Sequence, residues 1–278
     1  MKNLQGLFLS RQHNRASVLV LSVWILFFFT ILGVGIHSIV VSQIRLTKAL
    51  QERALCPYLA KAAYFYFQKD STSAPSTLFK LKGEKELELG RGKFIYTVSD
   101  ENSKININYA PKEWLVNLPG IDEELAQKIL QLRASMGIFV LEEELFLVEG
   151  FNEEIFDKIS GLVTVYGDGK VNINSSPREV MKVFGFDENL ISSIIDFRSG
   201  FDGQEATEDD EVFQTVEQLL ILPGVSESQI TQINKVKEQL RINSEVSLLH
   251  IDTEILSNPA MKYEIVVEKG KVKRWREM

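Results

Sequence analysis

Lys104-Ile105-Asn106-Ile107-Asn108-Tyr109-Ala110-Pro111-Lys112-Glu113 returns 66 residues later as Lys170-Val171-Asn172-Ile173-Asn174-Ser175-Ser176-Pro177-Arg178-Glu179. Self-similarity at a fixed distance marks a repeat architecture. Each copy reads as a short strand or extended turn in which Asn and Ser side chains bond the local backbone, and Pro then opens a helix near its first turn. Two helix–turn–helix units follow each copy. Their shared turn is Leu118-Pro119-Gly120-Ile121-Asp122-Glu123-Glu124 and Val148-Glu149-Gly150-Phe151-Asn152-Glu153-Glu154 in the first copy. In the second it is Val183-Phe184-Gly185-Phe186-Asp187-Glu188-Asn189 and Leu222-Pro223-Gly224-Val225-Ser226-Glu227-Ser228. The spacing assigns Gly120, Gly150, Gly185 and Gly224 the backbone conformation that ends a helix. The next apolar residue enters the core. Asp, Asn or Ser then caps the following helix, whose first turn favours carboxylates.

Leu125, Ile129 and Leu132, Ile155 and Ile159, Leu190, Ile194 and Ile195, and Ile230, Ile233 and Val236 complete the apolar helix faces. This is the helix-hairpin-helix pattern or its SAM-like relative, present four times in two pairs. Hairpins of this type often bind DNA phosphates through Gly-rich amides with Lys or Arg nearby. Here each hairpin has one Gly, and acidic or neutral residues follow it. Carboxylates would stand where phosphates approach, and phosphate neutralisation drives most nonspecific affinity. The sequence pI of about 5.2 also opposes a basic footprint. The expectation is therefore no nucleic-acid partner, with the hairpins serving as scaffold and protein-contact surface.

Outward toward the N-terminus, no residue from Ala16 to Ile44 carries a fixed charge. The 25 residues Ser17 to Val41 would span about 37 Å as a helix, enough for a hydrocarbon layer of about 30 Å. A cleaved secretory signal would have a shorter apolar region ending in a small-x-small site. A buried core helix would be amphipathic, and this run is not. Lys2, Arg11 and Arg15 precede the span, so the positive-inside rule places the N-terminus in the cytoplasm and exports the body. Those three are the only charged residues up to Ile44, leaving 28 Lys and Arg against 38 Asp and Glu beyond it. The net charge of −7 thus divides into a cationic leader and an acidic body. The chain's 278 residues allow a sizeable core, and its single Cys excludes an intrachain disulfide.

From Ser42 to Gln68 apolar residues continue at helical spacing without Gly, so the span extends as one long helix with Pro57 as a potential kink. Cys56 reads as a small buried apolar residue. Tyr64-Phe65-Tyr66-Phe67 reads as the place where this helix meets the body. Gly92 to Ser99 and Tyr263 to Glu268 alternate as strands, the latter turning through Lys269-Gly270 into Lys271 to Trp275. The fold class is α+β: a long N-terminal transmembrane helix, a pilin-like antiparallel sheet, and a large all-α insertion of duplicated helix-hairpin-helix or SAM-like units. Its segments are a leader at 1–16, the helix at 17–69 and strands at 70–100. The repeats follow at 101–166 and 167–243, and the final strands at 244–278.

A short basic leader, an uncleaved-looking span continuing into an exported domain, the duplicated hairpins and the segment Asp100-Glu101-Asn102-Ser103-Lys104-Ile105-Asn106-Ile107-Asn108 together resemble the minor pseudopilin K family of type II secretion (general secretion pathway protein K). The resemblance covers nearly the whole chain. It implies cutting by a prepilin peptidase between Ala16 and Ser17, with Ala where the family usually has Gly, followed by methylation of the new terminus. It makes Leu21 the fifth mature residue, where most pilins carry Glu. A buried carboxylate is tolerable when paired with the terminal amine of an adjoining subunit, so Leu21 marks a tip subunit with none above it. The implied partners are other minor pseudopilins, the major pseudopilin, the prepilin peptidase, the inner membrane and secreted substrates.

Asp202, Glu205, Asp209 and Asp210, with Glu208 and Glu211 in reserve, are candidate Ca²⁺ ligands, because oxygen donors closely spaced around Gly203 suit a hard cation. The family resemblance also implies calcium in an acidic loop of the second repeat, although no cofactor is required. No enzyme activity is expected, since His13, His37, His250 and Cys56 form neither a triad nor a zinc set. The alternative reading is a membrane-anchored exported hairpin module that binds DNA or a protein ligand.

Overall fold

The computed structural model describes residues 4–73, 84–205, 207, 209–255 and 258–278, with side chains described from Val18 to Lys69 in the first helix and from Met261 in the last segment. Helix α1 (Leu4–Ser73) is assigned without interruption through Pro57. The chain divides into two compact units, Met1–Leu55 and Cys56–Met278.

The described residues of the first unit, from Leu4, are all helical. Its apolar residues from Val18 to Ile39 are exposed all round, with no stripe selected for burial. The hydroxyls of Ser22 and Thr30 donate to the helix's own carbonyls of Leu19 and Leu26, at 2.8 and 2.6 Å. Hydroxyls bonded within their own helix need no water, as hydrocarbon requires. This helix is long and apolar enough to cross a membrane.

In the second unit the end of α1 lies against an antiparallel sheet. Its strands are β1 (Lys85–Leu89), β2 (Gly92–Asp100), β7 (Val246–Ile255), β8 (Asn258–Glu268) and β9 (Lys271–Glu277), in spatial order β1-β2-β7-β8-β9. Cys56, Leu59, Ala60, Ala63 and Phe67 follow helical spacing and are buried against Phe94, Tyr96 and Val98 of β2, Leu249, Ile251 and Ile255 of β7, and Tyr263, Ile265 and Val267 of β8. Those strand residues alternate, one face in and one face out. The buried stripe of α1 begins at Cys56, whereas Ile44, Leu46 and Leu50 are exposed. Helix and sheet approach closely at Gly92, where a Cβ would lie 2.6 Å from Leu59 Cδ1 and 3.0 Å from the Glu254 carbonyl oxygen, so a larger residue would displace Leu59. Lys269 and Gly270 both have positive φ, the backbone of a tight two-residue hairpin between β8 and β9.

Strands β2 and β7 pair from Gly92↔Ile255 to Asp100↔Ser247, so the chain leaves the sheet at residue 101 and returns at 245. The repeats occupy that interval. The first runs through β3 (Ile105–Asn106), α2 (Lys112–Val116), α3 (Glu123–Met136), α4 (Glu153–Ile159) and β4 (Val163–Thr164). The second runs through β5 (Val171–Asn172), α5 (Arg178–Val183), α6 (Glu188–Arg198), α7 (Glu227–Val236) and β6 (Leu240–Arg241). Each opening two-residue strand pairs in parallel with the strand that closes its repeat, β3 with β4 and β5 with β6. In the second unit of each pair, the leading segment is a 3-10 turn (Glu142–Leu147 and Val216–Ile221) and not the α-helix expected. Each of these turns opens on a side-chain cap: Glu144 Oε2 accepts from the amides of Val140 and Leu141, and Gln218 Oε1 from those of Gln214 and Thr215. Both repeats share one continuous apolar core, and Trp114 meets Phe184 edge-on across it.

The sheet is tied to both repeats by a buried polar corner at Asp100-Glu101-Asn102. Asp100 accepts from the Asn102 amide, from Asn172 Nδ2 and from the Ser175 hydroxyl. Glu101 accepts from Lys104 Nζ and from the Thr164 hydroxyl, both at 2.6 Å. Asn102 Oδ1 accepts from the amides of Glu245 and Val246 at 2.9 and 3.0 Å. One tripeptide thus bonds β7, β4 and the segment opening the second repeat. Truncation at Asn102 removes the acceptor of the Glu245 amide and leaves that of Val246 only the Ser244 hydroxyl at 3.2 Å, which costs about 1–3 kcal/mol. We predict that Asn102→Ala lowers the free energy of urea unfolding by about that amount or more, while Asn102→Asp loses less.

Burial raises the Asp100 carboxyl above the ordinary aspartate range, against opposing bonds from Ser175, Ser244, Asn172 and the Asn102 amide. Glu142, facing Lys104, Glu101, Glu143 and Arg274, is pushed up to about 7, chiefly by burial. Both folded values exceed the unfolded ones, so the folded state binds the proton more tightly. This contribution to stability is full below the unfolded values of about 4 and is lost as pH rises through the folded ones. We predict that Glu142→Gln reduces the decline in stability between about pH 4.3 and about pH 7, measured by urea unfolding across that range; an unchanged slope would exclude Glu142 as its source.

Candidate functional site

The functional surfaces inferred from sequence fall on three elements. On α1, Leu21 is exposed on a stretch without charged residues, while the side chains of Ala16 and Ser17 lie outside the described residues.

On the repeats, Gly120, Gly150, Gly185 and Gly224 all have φ between +80° and +93°, a region that strains any side-chain-bearing residue. The residue two positions later caps the next helix in each case. Asp122, Asn152 and Asp187 side chains accept from the amides of Leu125, Ile155 and Leu190 at 2.8, 3.0 and 2.9 Å, and Ser226 from that of Gln229 at 3.4 Å. The Leu190 amide, followed by Gln229, holds the Asp187 carboxyl below its ordinary range. Glu123, Glu124 and Glu149 stand in solvent beside the first pair of hairpins, with Lys128 bridging Glu124 and Glu149. The hairpins therefore present carboxylates outward.

The third element is the acidic segment after α6. Glu205 pairs with the buried Arg198. Asp209 Oδ2 accepts from the amides of Phe201 and Asp202 at 2.8 and 3.1 Å, and its Oδ1 from the Thr207 hydroxyl at 2.8 Å. Asp210 accepts from the amide and the hydroxyl of Thr207. Glu208 lies outside the described residues. Among the described residues no three Asp, Glu, His or Cys side chains converge on a point that could hold a metal ion. The carboxylates as placed bind their own loop and Arg198.

Sequence reading missed the device that holds each repeat shut. Asn108 donates to the Phe139 carbonyl and accepts from the Phe139 amide, at 2.9 and 2.7 Å; Asn174 does the same with Phe213, at 2.9 and 2.8 Å. Arg133 donates to the carbonyls of Ile107 and Ala110, and Arg198 to those of Ile173 and Ser176. The signal lay in the duplicated Asn-x-Asn, whose second Asn makes this clamp in both copies. Arg133 and Arg198 sit 65 residues apart, close to the repeat distance, and offered a second one.

Residues 100–164 match the helix-hairpin-helix motif family. The human endonuclease/exonuclease/phosphatase family domain-containing protein 1 is 25% identical over 162 residues, covering 47% of this chain and 27% of that protein. Its Danio rerio counterpart is 30% identical over 117 residues, covering 34% and 21%. The chain thus spans about a quarter of the length of these curated relatives. A chain in the crystal structure of the GspK–GspI–GspJ complex from the enterotoxigenic Escherichia coli Type 2 Secretion System matches with a TM-score of 0.55. The match covers 81% of this chain and 99% of that one, at 13% identity. The fold is pseudopilin-like, with helix-hairpin-helix units built into it.

The duplicated clamp yields a paired prediction. Asn108→Ala and Asn174→Ala each leave a part-buried or buried amide without its acceptor, and each should destabilise the head by about 1–3 kcal/mol in urea unfolding. Asn→Asp at either site keeps the acceptor and should restore part of the loss.

Proposed function

We propose that this chain is a K-type minor pseudopilin: a non-enzymatic structural subunit of a type II secretion pseudopilus, placed at its tip and supporting export of folded proteins. The observation that carries this reading is the structural match over 99% of a chain from a pseudopilin complex, in a molecule that also has an N-terminal helix fit to cross a membrane. In this reading the span sits in the inner membrane with Lys2, Arg11 and Arg15 cytoplasmic and the head periplasmic. A prepilin peptidase removes residues 1–16, which takes the formal side-chain charge from −7 to −10. Other minor pseudopilins and the major pseudopilin pack along the apolar helix, and Leu21 suits a subunit that has no neighbour's amine to pair above it. Calcium is not built into this role.

Mass spectrometry of the mature chain from its native membrane tests the proposal. The expected N-terminal peptide begins at Ser17 and carries one N-methyl group. A chain still beginning at Met1 would contradict it.

The helix-hairpin-helix match and the partial similarity to proteins named for an endonuclease/exonuclease/phosphatase domain favour a second reading, an anchored module that binds DNA. The carboxylates displayed around the hairpins oppose it. We expect no salt-dependent retardation of duplex DNA by the full chain at low ionic strength. A retarded complex that dissociates as salt rises would favour the second reading.

A further inference from the structure

The two repeats supply an internal comparison. In the first, five residues separate the inward Arg133 from the clamped Phe139; in the second, fourteen separate Arg198 from Phe213. Both arginines and both phenylalanines make the same bonds, so the frame closes equally well without the additional nine residues. That added length carries Phe201, whose side chain is 99% exposed, the largest exposure of any large apolar residue described.

The backbone at Phe201 is held in place. Its amide and that of Asp202 are both bound by Asp209 Oδ2. Gly200 before it has φ of +60°, and a Cβ there would lie 2.5 Å from the Asp209 carbonyl oxygen. Glu205 anchors the far side of the loop to Arg198. An aromatic side chain on a held backbone has only two torsions to order on docking, and aromatic residues are enriched among interface anchors. The electrostatic setting selects the partner. From Ser199 to Asn234 there are eight Asp and Glu and no Lys or Arg.

We infer that Phe201, presented on a hydrogen-bonded loop, is an anchor that docks into an apolar pocket, rimmed by Lys or Arg, on a protein partner. The inference goes beyond the pseudopilin reading and does not require it. The carboxylate field steers a cationic rim and repels anionic lipid headgroups, so association should weaken as salt rises.

The test places the photoreactive residue p-benzoylphenylalanine at position 201 of the full chain in its native cells, and sequences the cross-linked peptide. The expected result is an adduct with another protein whose cross-linked segment combines apolar residues with Lys or Arg. That protein, purified, should bind the full chain in neutral-lipid nanodiscs, and Phe201→Ser should weaken binding by about tenfold or more. The Phe201→Ser chain should keep its melting temperature, because the side chain packs against nothing. A self-adduct, a lipid adduct, no adduct, a cross-linked segment lacking basic residues, or equal binding of the Phe201→Ser chain would each overturn the inference.

Discussion

A buried carboxylate or amide is tolerable only when its hydrogen bonds are made, and the corner at Asp100-Glu101-Asn102 places three such side chains where the sheet gives way to the insertion. Asp100 and Glu101 are nearly inaccessible, at 8% and 1% exposure, so water cannot complete their bonds. Their partners come from across the insertion: Thr164 in the first repeat, Asn172 and Ser175 in the second. Asn102 meanwhile binds the amides at the start of β7. These groups are satisfied together only when the sheet and both repeats are in place. The long excursion from β2 to β7 is thereby closed at its root, where an entropic penalty for a loop of that length would otherwise fall.

Beyond the corner, the molecule separates what is repeated from what is not. The Asn clamp, the inward Arg, the positive-φ Gly and the helix caps occur in both copies with nearly the same bonds. They account for the head as a scaffold. The nine additional residues after α6, with the exposed Phe201 they carry, are not duplicated, whereas a stretch free of Lys and Arg and rich in carboxylates follows the inward Arg in both copies. In a duplicated architecture, such departures from the shared frame are where a surface specific to this molecule is expected.

The apolar span, the duplication and the hairpin turns were legible in the sequence because each rests on local chemistry: hydropathy over many residues, a repeated string, or Gly followed by a capping side chain. Strands β2, β8 and β9 were legible through alternation and the Lys269-Gly270 turn. Strand β7, which unites the sheet, was harder to delimit. Its alternation is interrupted by adjacent Leu248 and Leu249, and its pairing shifts register between Thr253 and Glu254. The parallel two-residue pairs carry no periodicity at all, since their partners lie some 60 to 70 residues away. The same distance hid the partners of Asp100 and Glu101. In the acidic loop, oxygen donors at close spacing suggested a cation, and the local bonds of those oxygens to backbone amides, Thr207 and Arg198 were not visible in the spacing.

The central claim is that the corner makes sheet and repeats one cooperative structure. Native-state hydrogen exchange on the Asn102→Ala chain tests it most directly. Coupling through the corner predicts that protection falls together at Val246 in β7, Ile107 beside β3 and Ile173 beside β5, by a similar factor at each. Loss of protection confined to Glu245 and Val246, with Ile107 and Ile173 unchanged, would contradict it.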